Sequence, residues 1–373
     1  MKSQELPFQK RTEPKTDSSL FQYLSSFTTN VMNQLSSSFV PHFTYSGNPY
    51  VYNAVCDCLN ELDYSRLEYQ CNNGIPAELR AYVWYALLLR PSNPWEIKHL
   101  YSEENGKEYK SLQSMLNTLV DNEQSLQEGV FQMSKIDQKT LRVIECDIVR
   151  TFPEGAEYLF KEPKIIEMLR RILQIYSIIH VDRGYFQGLN DIVGIIITAF
   201  MEPKQENGMF VVPKDEILFQ VETTVYFSLE KIMDKLYINH STQFHVDLLW
   251  TEFVDIVDRY YSLFSVDPKQ PNLDIVRQQS YRWFVCLFCR EFHFHLTLAL
   301  WDNFMLDNGF RTFIIYFAFA VLINITRSCD SSDLEKFNKS TKEFYNKMTE
   351  SNLSYLITSA YSYKGTIASL QSS

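Results

Sequence analysis

Only 11 glycines and 13 prolines interrupt 373 residues, so the backbone has few places to turn sharply. Between them, apolar side chains recur at intervals of three and four, the repeat that lines one face of a helix. Val55, Leu59 and Leu62 follow this pattern, as do Leu79, Val83, Leu87 and Leu88 in the next segment. Further helices are expected at residues 106–124, Leu141–Val149, Ile165–Ile179, Phe186–Phe200, Ile217–Leu236, Phe244–Tyr261, Gln278–Phe292 and Leu296–Leu306, with a largely helical end over Leu334–Leu370. No segment alternates polar and apolar residues in the manner of a half-buried strand. The expected fold class is all-α.

A composition of 45% hydrophobic and 21% charged residues is that of a globular chain with a sizeable core. Residues 1–48 are richer in Ser, Thr and Gln and read as a disordered tail, with Phe21–Phe27 and Val31–Leu35 able to form a short docking helix. The remainder, 49–370, reads as one helical domain, and no period of 20–50 residues marks a solenoid. Residues 201–215, with Pro203, Gly208 and Pro213, read as a polar loop. The longest apolar runs, Ile192–Phe200 and Thr312–Ile323, fall short of the roughly twenty residues a membrane crossing takes, so no transmembrane segment is expected.

The net charge of −10 argues against nucleic acid and against direct binding to anionic membrane, both of which call for a basic face. Seven cysteines, Cys56, Cys58, Cys71, Cys146, Cys286, Cys289 and Cys329, are an odd count scattered through apolar stretches. A polar Lys2-Ser3-Gln4-Glu5 opening follows Met1, with no apolar signal segment. These features point to a reducing, cytoplasmic setting with buried free thiols.

Chemistry concentrates in three short blocks. Gly74-Ile75-Pro76 precedes Arg80 and Trp84, which share a helix face at a spacing of four. Ile144 to Pro153 contains Asp147 one turn before Arg150, and Pro153 ends the helix so that the Arg150 side chain can reach outward. Gly184 to Asp191 places Tyr185 and Gln187 directly after a glycine turn, with Gln187 opening the next helix. An arginine near a helix end ordinarily serves the helix dipole, and a lone glutamine is ordinarily surface. It is the order and spacing of the blocks that gives them meaning. Cys286-x-x-Cys289 followed by His293 and His295 has the composition of a zinc site, but it lies in an apolar stretch with no second ligand pair. No Gly-rich phosphate loop is present, so the chain is not expected to bind nucleotide by itself.

The three blocks resemble the signature motifs of the TBC domain, a Rab GTPase-activating family: R-x-x-x-W, I-x-x-D-x-x-R and Y-x-Q, in the family's order. Arg282-Trp283, Arg290-Glu291-Phe292 and Leu300-Trp301-Asp302 add a fourth similar stretch, so the likeness spans about residues 70–365. The resemblance implies a two-lobed helical domain, its motifs within 74–191 and its C-terminal lobe at about 215–370. It implies that the partner is a GTP-bound Rab-family GTPase, which itself holds the GTP and Mg²⁺, so the chain carries no cofactor of its own. It also implies that Arg150 and Gln187 act in trans: guanidinium stabilises charge on the γ-phosphoryl group, and the amide orients the attacking water. Arg80, Trp84, Ile144, Asp147 and Tyr185 would support the site, Trp84 and Ile144 as core, Asp147 as a partner of the guanidinium. The setting would be peripheral to endomembranes, and the blocks around Arg150 and Tyr185 look closest to the subgroup acting on Golgi Rabs.

Two other readings remain: a TBC scaffold that binds a Rab without catalysis, which would not need both finger residues, and a zinc-stabilised helical adaptor. Leu89 stands where many family members have glycine, and the 201–215 loop looks longer than a minimal version; neither touches Arg150 or Gln187.

Overall fold

A computed structural model describes residues 49–372 apart from 73, 126–137, 152, 202–204, 207–208, 238–245, 265–272, 307–308 and 329–333. The expected N-terminal tail and its docking helix lie outside the described residues. In the first half run α1 (Pro49–Glu61), α2 (Tyr64–Cys71), α3 (Arg80–Leu89), α4 (Pro94–His99) and α5 (Glu103–Ser125). α6 (Gln138–Ile148), α7 (Pro163–Ile179), α8 (Leu189–Phe200) and α9 (Asp215–Leu236) complete it. The second half holds α10 (Val246–Phe264), α11 (Leu273–Val285), α12 (Phe294–Met305), α13 (Phe313–Ser328), α14 (Leu334–Asn346) and α15 (Glu350–Ser372). All-α is the correct class. The described residues also hold a two-residue ladder in which β1 (Gln205–Glu206) pairs with β2 (Met209–Phe210), inside the segment expected to be plain loop.

Each half is built round a helix apolar on every side, and such a helix must be surrounded. In the first half it is α8, where Leu189, Ile192, Val193, Ile195, Ile196, Ile197 and Phe200 are all buried. α3, α6, α7 and α9 pack against it. In the second it is α13, whose Phe313–Ile315 and Phe317–Ile323 stretches are buried against α10, α11, α12, α14 and α15. At ~1.5–3 kcal/mol for each fully buried large apolar side chain, these two helices are major sources of the stability of the halves. α12 touches both, packing on α3 and α8 on one side and on α13 and α15 on the other. The described helices belong to one compact unit.

A buried ion pair fastens α3 to α12. Arg80 donates from Nε to Asp302 Oδ1 (3.0 Å) and from Nη2 to Oδ2 (2.8 Å), while Trp84 Nε1 donates to Oδ1 (2.8 Å). The four-residue spacing of Arg80 and Trp84 brings both donors to one carboxylate. Trp84 also stacks on Trp301 with ring centroids 6.0 Å apart. Burial pushes the Asp302 carboxyl up, and Arg80 and Trp84 pull it back. Arg80 and Trp84 thus join the two halves, with Trp84 buried in the core.

Two helix boundaries differ from expectation, each for a local reason. α8 begins at Leu189, because its N-cap Gly188 has φ +116°, so Gln187 sits in the preceding loop and does not open the helix. The stretch expected to be helical through Phe292 ends at Val285, where Leu287 and Phe288 adopt φ of 48° and 61°. The C-terminal stretch is two helices, α14 and α15, separated at Lys347–Thr349.

Candidate functional site

Arg150 lies just past α6, in a turn that tightens the helix end: its N–H donates to Asp147 O (3.1 Å) and that of Thr151 to Ile148 O (3.1 Å). Ile144 and Ile148 bury one face of α6 and so fix the turn that follows. Thr151 Oγ1 donates a second hydrogen bond to the same Asp147 O (2.8 Å), tightening the turn further. The segment can lie close over α8 because Gly194 is there: a Cβ at that position would sit 3.3 Å from Thr151 Cγ2 and 3.4 Å from Pro153 Cγ.

Asp147 is fully buried and gathers the site. Its Oδ1 accepts from Arg150 Nε (2.9 Å) and from Arg150 Nη2; its Oδ2 accepts from the Tyr185 hydroxyl (2.7 Å). The carboxylate therefore ties the arginine turn to the loop of Gln187, two residues beyond Tyr185. Burial, then the neighbouring Asp147, push the Tyr185 phenol far above its ordinary pKa, so it stays a donor. Behind it Asn190 is buried and fully engaged. Its Oδ1 accepts from the Gly188 N–H (3.2 Å), and its Nδ2 donates to Thr151 Oγ1 (2.9 Å) and toward Asp191 Oδ1 (3.3 Å). With one edge of its guanidinium held this way, Arg150 still has 56% of its side chain exposed, and Gln187 is exposed as well.

Beside Arg150 opens a cavity of about 320 Å³, lined also by Pro153, Asp191, Cys289 and Arg290. Asp191 accepts from Arg290 Nε (2.7 Å). Burial raises the Asp191 carboxyl pKa, and the Arg290 charge opposes the rise.

Of the sequence-derived residues, Arg150, Asp147 and Tyr185 form one bonded cluster, Gln187 projects from the loop joined to it, and Ile144 is core beneath it. Arg80 and Trp84 belong to the Asp302 strut. Thr151, Asn190 and Asp191 were given no role, and Arg290 was noted only within the fourth similar stretch, although a buried asparagine beside apolar Leu189 and Ile192 must find partners, and that was a usable signal. Among the described residues, no group of three His, Cys, Asp or Glu could hold a metal. The Cys286 sulfur backs onto Gly188 while His293 Nε2 backs onto Gly155, so the zinc-like pattern is divided between two loops. Of the six described cysteines five are buried, whereas Cys146 is exposed on the outer face of α6, contrary to the expectation of buried thiols. No described helix is long and apolar enough to cross a membrane.

Residues 77–328 match the Rab-GTPase-TBC domain family, a stretch that takes in every element of this cluster. The chain belongs to that family. TBC1 domain family member 22A from Homo sapiens is 29% identical over 197 residues, covering 51% of this chain and 37% of the relative. GTPase-activating protein gyp1 from Schizosaccharomyces pombe is 26% identical over 290 residues, covering 74% and 52%, respectively. The chain thus spans between about a third and a half of these relatives. In fold, the Rab-GTPase-TBC domain here is similar to the crystal structure of the Ypt/Rab-GAP domain of Gyp1p. The two superpose with a TM-score of 0.59 at 19% identity, over 93% of this chain and 99% of that one.

Proposed function

We propose that this chain is a GTPase-activating protein for a Rab-family small GTPase in its GTP-bound form, acting in vesicle traffic on the cytoplasmic side of an endomembrane. The partner holds GTP and Mg²⁺. Arg150 enters its site and stabilises negative charge on the γ-phosphoryl oxygens; a guanidinium is permanently charged and can engage two oxygens at once. Gln187 orients the attacking water, for which an amide has both a donor and an acceptor. The observation that carries this reading is the convergence on Asp147: one buried carboxylate holds an edge of the Arg150 guanidinium and receives Tyr185, while Arg150 and Gln187 themselves remain exposed. Prior positioning lowers the ordering cost at the moment of reaction. The names of the relatives, which include GTPase-activating proteins, favour the same activity.

The test is single-turnover phosphate release from a panel of GTP-loaded Rabs. The chain accelerates at least one of them, and Arg150→Ala removes most of that, a loss on the order of 10³-fold or more. Arg150→Lys recovers little, because ammonium lacks the planar fork. Near-normal hydrolysis with Arg150→Ala removes Arg150 from the mechanism.

A further inference from the structure

The connection between α11 and α12 is built at some cost. Leu287 and Phe288 are consecutive non-glycine residues in the left-handed region, worth about 1–2 kcal/mol each in strain. Tertiary contacts hold them there. Trp301 Nε1 donates to Leu287 O (3.0 Å), the Phe288 N–H donates to Trp283 O (3.0 Å), and the Phe288 ring stacks between Trp283 (5.5 Å) and Phe292 (6.0 Å). Arg282 Nε, 2.9 Å from Glu291 Oε1, braces the far end of the turn.

This stiff turn meets the start of α8 at two points. Gly188 rests on it so closely that a Cβ there would lie 3.0 Å from Cys286 Sγ and 3.4 Å from Val285 Cγ1. Three residues on, Asp191 is gripped by Arg290, with Nε and Nη2 at 2.7 and 2.6 Å from Oδ2. Gly188 is the residue immediately after Gln187, and Asn190 links its N–H to Asp191 and Thr151. The Gln187 loop is thus anchored to the first half through Tyr185 and to the second through Gly188 and Asp191.

We propose that Arg290 is a positioning residue for the Gln187 loop, holding the Gly188 pivot through its ion pair with Asp191. It rests on the reading of Gln187 as the water-orienting group. Arg290 acts on the turnover step, not on partner docking, because its guanidinium is directed at Asp191, whose carboxylate is only 13% exposed. Without it a buried carboxylate loses its compensating charge and must take up a proton or turn outward, and either releases the loop.

The test uses the full chain with the Rab found in the panel. Arg290→Ala lowers kcat by about 10- to 100-fold, the scale expected for a loop displaced by roughly an ångström, with KM within about threefold. Arg290→Lys, which keeps the charge, restores part of kcat. In a Gln187→Ala background Arg290→Ala has little further effect, since both act through one amide. Independently of activity, hydrogen exchange of amides 188–191 rises at least about tenfold in Arg290→Ala, while α7 and α13 are unchanged. An equal kcat loss with and without Gln187, a loss carried by KM, or unchanged exchange at 188–191 overturns the proposal. If the wild-type chain activates no Rab, the proposed function fails, and the exchange measurement alone decides whether Arg290 holds the loop.

Discussion

At the scale of single residues, the proposed site separates exposed groups from the buried ones that hold them. Gln187 is exposed and caps no helix, so Gln187→Ala is expected to leave the fold intact. It should lower kcat for GTP hydrolysis by about 10²-fold or more while the affinity for GTP-loaded Rab changes little; equal loss of both would make it a docking residue. Tyr185→Phe instead deletes a donor to a fully buried carboxylate, at an expected cost of about 1–3 kcal/mol in denaturant unfolding. Glu291 supplies a pH signature. Burial lifts its carboxyl from 4.5 to about 7, with Arg282 and then Arg290 opposing the rise. The folded state therefore holds this proton more tightly than the unfolded chain does. The contribution is fully present below pH 4.5 and is lost as the pH rises through about 7. Glu291→Gln removes that loss, so unfolding free energies of the variant gain on wild type from about pH 5 to pH 8, by on the order of 3 kcal/mol at most. A parallel pair of pH profiles would contradict this.

At the scale of elements, the decisive pieces are two turns. Gly188→Ala meets both a φ of +116° and a Cys286 sulfur at 3.0 Å, so about 1–3 kcal/mol of stability and much of kcat should go together. Urea unfolding and phosphate release on one preparation check this. The turns also mark how far the sequence could be read. Helices α3, α6, α7, α9 and α12 were visible because their apolar spacing is a local signal. The Arg150 cluster was visible through the resemblance: Asp147 and Arg150, and likewise Tyr185 and Gln187, fall within short motifs whose order is that of the TBC family. The break at Val285 was not visible: no glycine or proline marks it, and the left-handed turn exists only because Trp283, Phe292 and Trp301 close round it. Arg290, noted only within the fourth similar stretch, was not placed at the site for a related reason. Its partner Asp191 is 99 positions away, and nothing in the local pattern of either predicts the other. The ladder β1–β2 is two residues per strand, too short for alternation to show.

At the scale of the molecule, two helical halves share α12, and the bond of Arg80 and Trp84 to Asp302 is the polar fastening between α3 and that helix. Asp302→Ala leaves a nearly buried Arg80 guanidinium unpaired, and about 3–5 kcal/mol of stability is expected to be lost, read as a lower urea midpoint with little change in slope. Kinetic loss should then track the fraction unfolded, unlike the loss from Arg150→Ala. That contrast follows from the exposure of the Arg150 guanidinium, which on the proposed reading meets the partner's phosphate as well as Asp147. Its removal leaves the buried Asp147 carboxylate with Tyr185 but without its charge partner, at an expected cost of about 1–3 kcal/mol. Clipping that one side chain should therefore turn the activator into a decoy that still embraces its client and melts somewhat earlier. Conversion between the two roles is one codon away, and the scaffold carries a modest scar from it.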